Sequence, residues 1–154
     1  WGEAGIKRFE RDVTGVVGAD RVFVLHGIND MLHPAVDSKV CPMSELPDAD
    51  EIIAGLRKYV SIAHDHGMKI YIATILPCMR IIGVPGDRGE MRLKVNEWIR
   101  TNKEADGFIN FEEAVKKPGT VHEMIEEYDS GDHLHPSLAG AQKLADSIPE
   151  ALLR

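Results

Sequence analysis

Three short apolar runs, separated by amphipathic segments, constrain the fold of this chain more than any other feature. They are "RVFVLHG" (21–27), "KIYIATILP" (69–77) and "GFINF" (107–111), and they are rich in β-branched and aromatic residues. Such runs are typical of strands that are buried on both faces of a sheet. Because each run follows a segment with helical periodicity, the sequence predicts a parallel α/β sheet wrapped by helices on both faces.

Four helical segments surround the predicted strands. Apolar residues recur at helical spacing in 4–17, 48–67 and 88–104, and a last helix is predicted from Pro136 until Pro149 disfavours it. Right-handed crossovers between these elements place the carboxyl ends of all three strands at one edge of the sheet. Open α/β sheets bind their ligands at that edge.

Composition limits the classes of partner. The 154 residues suit a single domain, 1–154, and the net charge of −7 argues against nucleic-acid binding. No apolar run approaches the ~20 residues of a membrane span, and the first residues do not resemble a signal peptide.

Cys41 and Cys78 lack the C-x-x-C spacing of zinc or redox sites, so unpaired cysteines are favoured over a disulfide. The compartment stays undecided.

Two polar segments lie at the predicted ligand-binding edge. In "DHLHP", Asp132 and His135 are three residues apart, so the carboxylate can fold back onto an imidazole N–H and make His135 a candidate general base. In "HGIND" (26–30), Asn29 follows the first strand and offers an amide donor to an oxyanion. Asn-Asp after a strand is also ordinary turn chemistry, which is the alternative for Asn29.

A metal site is the other hypothesis for the histidine-rich stretch. Asp129, Asp132, His133 and His135 carry suitable N and O donors, but no second carboxylate–histidine cluster completes a shell. No metal or cofactor is therefore predicted. Asp129 and His133 are interpreted as polar loop residues.

The two polar segments also carry a family resemblance. "VLHGIND" resembles the G-x-N-D block of the SGNH (GDSL-type) hydrolases, and "DHLHP" resembles their D-x-x-H block. The stretches "RFERDV", "VNEWIR" and "YDSGDHLHPSLAGAQKLAD" are similar to the lysophospholipase-like branch of that family. The resemblance implies a three-layer α/β/α, flavodoxin-like fold. It also implies a serine esterase acting on an acyl ester, either a carbohydrate acetyl ester or a lipid.

The resemblance assigns a role to each matching residue. His135 becomes the base and Asp132 its orienting partner, while Asn29 becomes an oxyanion-hole donor. Asp30 is expected to tie down the turn, and Gly27 to act as its small hinge. His26 stands where this branch is expected to carry other residues, so it receives no role.

The family's nucleophile is missing from the chain. No serine follows Gly-Asp, and Ser130 is a poor candidate because it lies five residues from its base in the same loop. We therefore expect a C-terminal portion of the family domain that lacks the first two strands of the 2-1-3-4-5 sheet, and is inactive alone.

The expected truncation has a structural consequence. Strand 21–27 becomes a bare apolar edge, and such edges invite a partner strand. The expected partner is an N-terminal segment of the same protein or a second copy paired at this edge. The alternative function is a non-catalytic ligand-binding or assembly module that has lost the nucleophile.

Overall fold

Three parallel strands form one sheet, in the order β1-β2-β3. The computed structural model describes residues 2–36, 42–82 and 84–154 of the chain. The strands are β1 (Arg21–Val24), β2 (Lys69–Ala73) and β3 (Gly107–Ile109). In the parallel ladders Val22 lies opposite Ile70, and Ile72 lies opposite Phe108. Each strand begins where the sequence predicts but ends two to four residues before its apolar run does, so the remaining residues line the carboxyl edge of the sheet.

Helices lie on both sides of the sheet, as predicted. They are α1 (Gly5–Phe9), α2 (Ile28–Val36), α3 (Ala49–Asp65), α4 (Arg88–Thr101), α5 (Phe111–Val115) and α6 (Leu138–Asp146). The first helix continues as a π-helical turn through Glu10–Thr14. No helix in the described ranges is both long and apolar enough to cross a membrane.

Helix α3 has the start and the buried face that the sequence predicts. Asp48 is its N-cap, and the Asp48 and Glu51 side chains each accept a hydrogen bond from the other residue's backbone N–H, both at 2.8 Å. This reciprocal capping satisfies two donors that an uncapped helix leaves free. The predicted apolar stripe is buried: Ile52, Ile53, Leu56, Tyr59, Val60 and Ala63.

Helix α2 is not among the four helical segments that the sequence predicts. Residues 31–36 are helical, because Met31 and Leu32 pack into the core with 0% and 6% of their surface exposed. Asp30 lies in the first turn, where its negative charge interacts favourably with the positive end of the helix dipole. Residues 37–41, including Cys41, lie outside the described residues, whereas Cys78 is a buried free cysteine.

Helix α6 begins two residues later than predicted. Ser137 is the N-cap, and its Oγ accepts a hydrogen bond from the Gly140 backbone N–H at 3.0 Å. Pro136 therefore precedes the cap instead of opening the helix. The helix ends at Asp146, before Pro149.

A buried polar network under α4 holds the chain where it leaves β2. The Asn96 side chain accepts from the Ile75 N–H at 2.7 Å and donates to the Ile75 carbonyl at 2.8 Å, as a neighbouring strand would. Arg92 is fully buried, donates to the same carbonyl at 3.0 Å and forms an ion pair with Glu112 at 2.6 Å. These bonds fix Ile75 and Leu76 at the carboxyl edge of the sheet. Amphipathic periodicity does not predict these hydrogen bonds, because it places Arg and Asn residues on the solvent-exposed face of a helix.

Strand β1 is an edge strand in the described part of the chain. It pairs with β2 on one side, and Phe23 and Leu25 keep 37% and 41% of their surface exposed. This agrees with the bare apolar edge expected from the sequence.

Candidate functional site

The candidate site is built on the loop between the 3-10 turn Glu126–Tyr128 and α6. An isolated bridge joins Asp129 to Pro136, and the Ser130 N–H donates to the His135 carbonyl at 3.0 Å. The two ends of the loop are thereby tied together. This closure holds the side chains of residues 130–135 on a tight turn instead of an extended strand.

Within the loop, the Asp132 carboxylate forms hydrogen bonds with both the backbone N–H and the ring of His135. Its Oδ2 lies 2.6 Å from His135 Nδ1, while its Oδ1 accepts from the N–H groups of Leu134 at 2.9 Å and His135 at 2.8 Å. The Ser130 hydroxyl also donates to Oδ1, at 2.9 Å. Hydrogen bonds from the His135 backbone and ring hold the pKa of Asp132 well below its usual range. An ionised carboxylate on Nδ1–H leaves Nε2 of the neutral ring as the proton acceptor.

Asn29 reaches the same part of the molecule from the other side. It lies in the first turn of α2, just after Gly27, whose φ of 120° is in the region that favours glycine. A Cβ at Gly27 would lie 2.8 Å from Ile75 Cδ1, so a side chain there would push the turn away from the sheet. Gly27 therefore sets the position of Asn29 through both conformation and close packing.

A cavity of about 240 Å³ brings Asn29 and His135 together. The other residues that line it are Leu25, His26, Ile28, Ile75, Leu76, Cys78, Leu134 and Pro136. We call it the Asn29–His135 cavity. Its walls are mainly apolar, and an amide donor and a carboxylate-bound imidazole both reach it. That combination suits an acyl group whose carbonyl oxygen becomes negatively charged.

His26, which received no role from the sequence, also borders this cavity. Its Nδ1 lies 3.0 Å from the hydroxyl of Tyr59, a residue buried in α3. Burial lowers the pKa of His26, against the opposing effect of the negative charge of Asp30. The ring is therefore mostly neutral near pH 7. Asp30 itself lies beside Asn29 in the first turn of α2, and its role in tying the turn stays a prediction.

The remaining acid and histidine of the loop form a second pair, which the sequence reasoning missed. Asp129 Oδ2 lies 2.9 Å from His133 Nδ1, and Asp129 Oδ1 accepts from the backbone N–H groups of Gly131 and His133. The signal was the second Asp and His themselves, at a spacing of four. Within the described ranges, no group of three or more His, Cys, Asp and Glu side chains is placed to hold a metal ion.

The sequence profile of the GDSL-like Lipase/Acylhydrolase family matches residues 2–143. The chain belongs to this family. A comparison with curated protein sequences found no match.

Several solved structures share the fold of this chain. The chain is similar to a putative acylhydrolase from Bacteroides fragilis (18% identity, TM-score 0.72) and to a GDSL-like lipase from Bacteroides thetaiotaomicron (17%, 0.69), with 96% of the chain covered in both. It is also similar to a catalytic mutant of an acetylxylan esterase from Geobacillus stearothermophilus (24%, TM-score 0.64, 93% covered). These likenesses agree with the predicted flavodoxin-like fold.

The chain spans about two thirds of the length of these solved structures. The matched shares are 67% and 68% of the two Bacteroides chains and 63% of the esterase. Assignment to the lysophospholipase-like branch stays a prediction.

Proposed function

We propose that the protein is a serine-type ester hydrolase, an acyl or acetyl esterase or a lipase-like enzyme. His135 acts as the base, Asp132 orients it, and Asn29 belongs to the oxyanion hole. The observation that carries the proposal is the meeting of Asn29 and the Asp132-bound His135 at one mainly apolar cavity. Membership of an acylhydrolase family supports it independently.

The proposed reaction uses these residues in sequence. A serine hydroxyl attacks the ester carbonyl carbon while His135 Nε2 takes its proton, and Asp132 stabilises the imidazolium that results. The carbonyl oxygen becomes an oxyanion that accepts a hydrogen bond from the Asn29 amide. When the tetrahedral intermediate collapses, the C–O bond to the alcohol breaks and His135 returns the proton to the alcohol. Water then cleaves the acyl-enzyme by the same steps.

The substrate is an acyl ester of a carbohydrate or a lipid. The Asn29–His135 cavity has room for a short acyl group beside the two polar side chains. The similarity to an acetylxylan esterase favours an acetyl group on a carbohydrate.

We further propose that the nucleophilic serine comes from a segment that precedes these residues in the same protein. Strand β1 has a free side for a new strand, and an apolar chain there would cover Phe23 and Leu25. A cavity of about 500 Å³ also opens beside the end of β1, lined by residues that include Arg8, His26, Asp30, Glu51 and Tyr59. A strand on this side would end next to Asn29. A second copy of the chain is the alternative occupant, and light scattering after size-exclusion chromatography separates the two.

The test compares the complete reading frame with the 154-residue chain. We expect the complete protein to hydrolyse p-nitrophenyl acetate and to react with a fluorophosphonate probe for activated serines. The 154-residue chain is expected to do neither, and addition of the separately expressed preceding segment is expected to restore both. A complete protein without turnover or labelling would overturn the esterase proposal and favour a ligand-binding or assembly module.

A further inference from the structure

The Asp129–His133 pair repeats the construction of the proposed catalytic pair. In both, one carboxylate oxygen accepts backbone N–H groups and the other accepts the ring Nδ1–H. His133 has φ of 60°, a conformation that non-glycine residues adopt only when the surroundings hold it. Hydrogen bonds to Asp129, whose side chain is only 10% exposed, keep His133 in this conformation. Because Nδ1 is engaged, Nε2 of His133 is the ring atom that faces a ligand.

His133 points to a different cavity from His135. This cavity has a volume of about 590 Å³ and lies between the loop that precedes α6, the turn after β2 and the segment that follows α5. It is lined by Met79, Lys117, His122, Glu123, Met124, Glu126, Asp129, Gly131 and His133. We call it the His133 cavity.

His122 in its wall carries a buried polar atom without a partner. Among the described residues, nothing forms a hydrogen bond with His122 Nδ1. The ring is packed on Gly89, where a Cβ would lie 3.0 Å from His122 Cε1, so the ring cannot turn freely to find one. Burial lowers the pKa of His122, and Arg92 adds to this effect. The Nδ1 atom has almost no accessible surface, so His122 contributes other parts of its ring to the wall of the His133 cavity and forms no hydrogen bond from Nδ1 to a ligand there.

The charges around the His133 cavity select among alcohols. Three carboxylates, those of Glu123, Glu126 and Asp129, face one ammonium group, that of Lys117, which is paired to Glu123 at 2.6 Å. Two negative charges therefore remain in excess, which disfavours a phosphate-bearing alcohol. Carboxylates and imidazole nitrogens offer many acceptors and few charged donors, and hydroxyl groups match them because each can donate and accept.

The His133 cavity is also close enough to the ester bond. His133 and His135 are two residues apart, so their Cα atoms are separated by about 7 Å at most. An ester whose acyl group occupies the Asn29–His135 cavity can extend its alcohol over the loop to His133.

We propose that the His133 cavity is the alcohol-side subsite of the enzyme and that it binds a neutral, polyhydroxylated alcohol such as a sugar. His133 Nε2 is the imidazole nitrogen that binds its hydroxyls. This inference rests on the proposed esterase function and adds the cavity and the residue that recognise the alcohol, together with the preference for a neutral alcohol.

The experiment uses the complete protein and three acetate esters. They are a methyl xyloside with one acetyl group, p-nitrophenyl acetate, which has no sugar, and an acetylated glycerol phosphate, which is anionic. The key variant is His133→Asn, because Asn tolerates positive φ and preserves the loop while removing the ring. We expect kcat/KM for the xyloside, relative to kcat/KM for p-nitrophenyl acetate, to fall about tenfold through KM, equivalent to about 1.4 kcal/mol.

The matched control is His64→Ala. His64 is another exposed histidine with a carboxylate partner, Asp106 at 3.0 Å, but it lies at the end of α3, outside both cavities. We expect this variant to leave the ratio unchanged. Wild-type protein is expected to prefer the neutral xyloside ester to the anionic ester.

Several outcomes would overturn the subsite. One is an unchanged ratio in His133→Asn, and another is an equal loss on both uncharged esters, which would indicate damage to the loop as a whole. Equal turnover of the anionic and neutral esters would contradict the charge argument. If wild-type protein hydrolyses none of the esters, the esterase proposal fails separately. The subsite is then decided by calorimetric titration with methyl xyloside, where binding that His133→Asn weakens supports it and equal or absent binding refutes it.

Discussion

Two aspartate–histidine pairs in one loop share a construction but differ in their surroundings. Asp132 accepts four hydrogen bonds and Asp129 accepts three, in each case including the ring Nδ1–H of the paired histidine. The two rings are equally open to solvent, with 69% of the His135 side chain and 65% of the His133 side chain exposed. Neither the pairing nor the exposure distinguishes a base from a binding residue.

What differs is the cavity that each ring reaches. His135 borders apolar walls and the Asn29 amide, so it faces a place where an oxyanion can be stabilised. His133 borders carboxylates and a second imidazole, where no amide donor of this kind is present among the lining residues. On the proposed assignment, His135 differs from His133 through the neighbours of each ring. The pair itself supplies only a fixed tautomer.

The largest effect that separates the pairs is expected from Asp132→Asn in the complete protein. An amide at this position donates to Nδ1 and therefore favours the wrong ring tautomer, so Nε2 can no longer take the proton. We expect kcat for p-nitrophenyl acetate to fall by about 10⁴-fold, the size of the same change in the Ser-His-Asp triad of a serine protease.

Asp129→Asn is the matched control for Asp132→Asn. It makes the same chemical change in the same loop, and we expect kcat to fall by less than about tenfold because His133 takes no proton. Equal losses in the two variants would contradict the assignment of His135 as the base. Thermal unfolding of both variants shows whether the loop is still folded.

The extent of sequence-based prediction follows the range of the interactions involved. The three strands and α3 follow from apolar periodicity and from local capping by Asp48 and Glu51, and the structure confirms them. The contact between Asp132 and His135 was also predictable, because the two residues are three apart in one loop.

Long-range contacts explain what the sequence did not predict. Helix α2 depends on the burial of Met31 and Leu32 against elements distant in sequence. The inward positions of Arg92 and Asn96 depend on hydrogen bonds to the buried backbone of Ile75, beyond the end of β2, which no local pattern predicts. The His133 cavity is lined partly by residues between 117 and 126. No sequence pattern links these residues to His133, although they lie close to it in the structure.

The next largest effect is expected at Asn29. Asn29→Ala removes an amide donor from the Asn29–His135 cavity, and we expect kcat to fall by about 10²–10³-fold with KM little changed. Asn29→Asp keeps the shape but replaces the donor with an acceptor, so its loss should be at least as large. If Asn29→Asp retains activity, Asn29 serves as a turn residue, which is the alternative that the sequence left open.

A smaller effect is expected in the acid stability of the loop. The pKa values of Asp132 and Asp129 are both lowered in the folded protein. Hydrogen bonds lower the pKa of Asp132. At Asp129, burial acts to raise the pKa, but hydrogen bonds lower it by more. A lowered pKa stabilises the fold above the unfolded value, about 3.9, and this contribution is lost as the pH falls through the folded value. The melting temperature of Asp132→Asn should therefore lie a few degrees below wild type from pH 8 to about pH 5, and the gap should close below about pH 4. A gap that widens in acid would contradict the hydrogen-bonded carboxylate, and the gap for Asp129→Asn should be smaller.

The smallest effect is expected from Ser130→Ala, which removes one of the four hydrogen bonds to Asp132. The Ser130 hydroxyl donates to the carboxylate and not to the His135 ring, so it is not poised to lose its proton to the base. This hydrogen bond to an ionised carboxylate is exposed to solvent, so it contributes only about 1 kcal/mol, and we expect kcat of the complete protein to fall by about fivefold. Labelling by the fluorophosphonate probe should persist in this variant, because the reactive serine lies elsewhere. Loss of both labelling and turnover would make Ser130 the nucleophile, and the loop that holds both Asp–His pairs would then contain the whole triad.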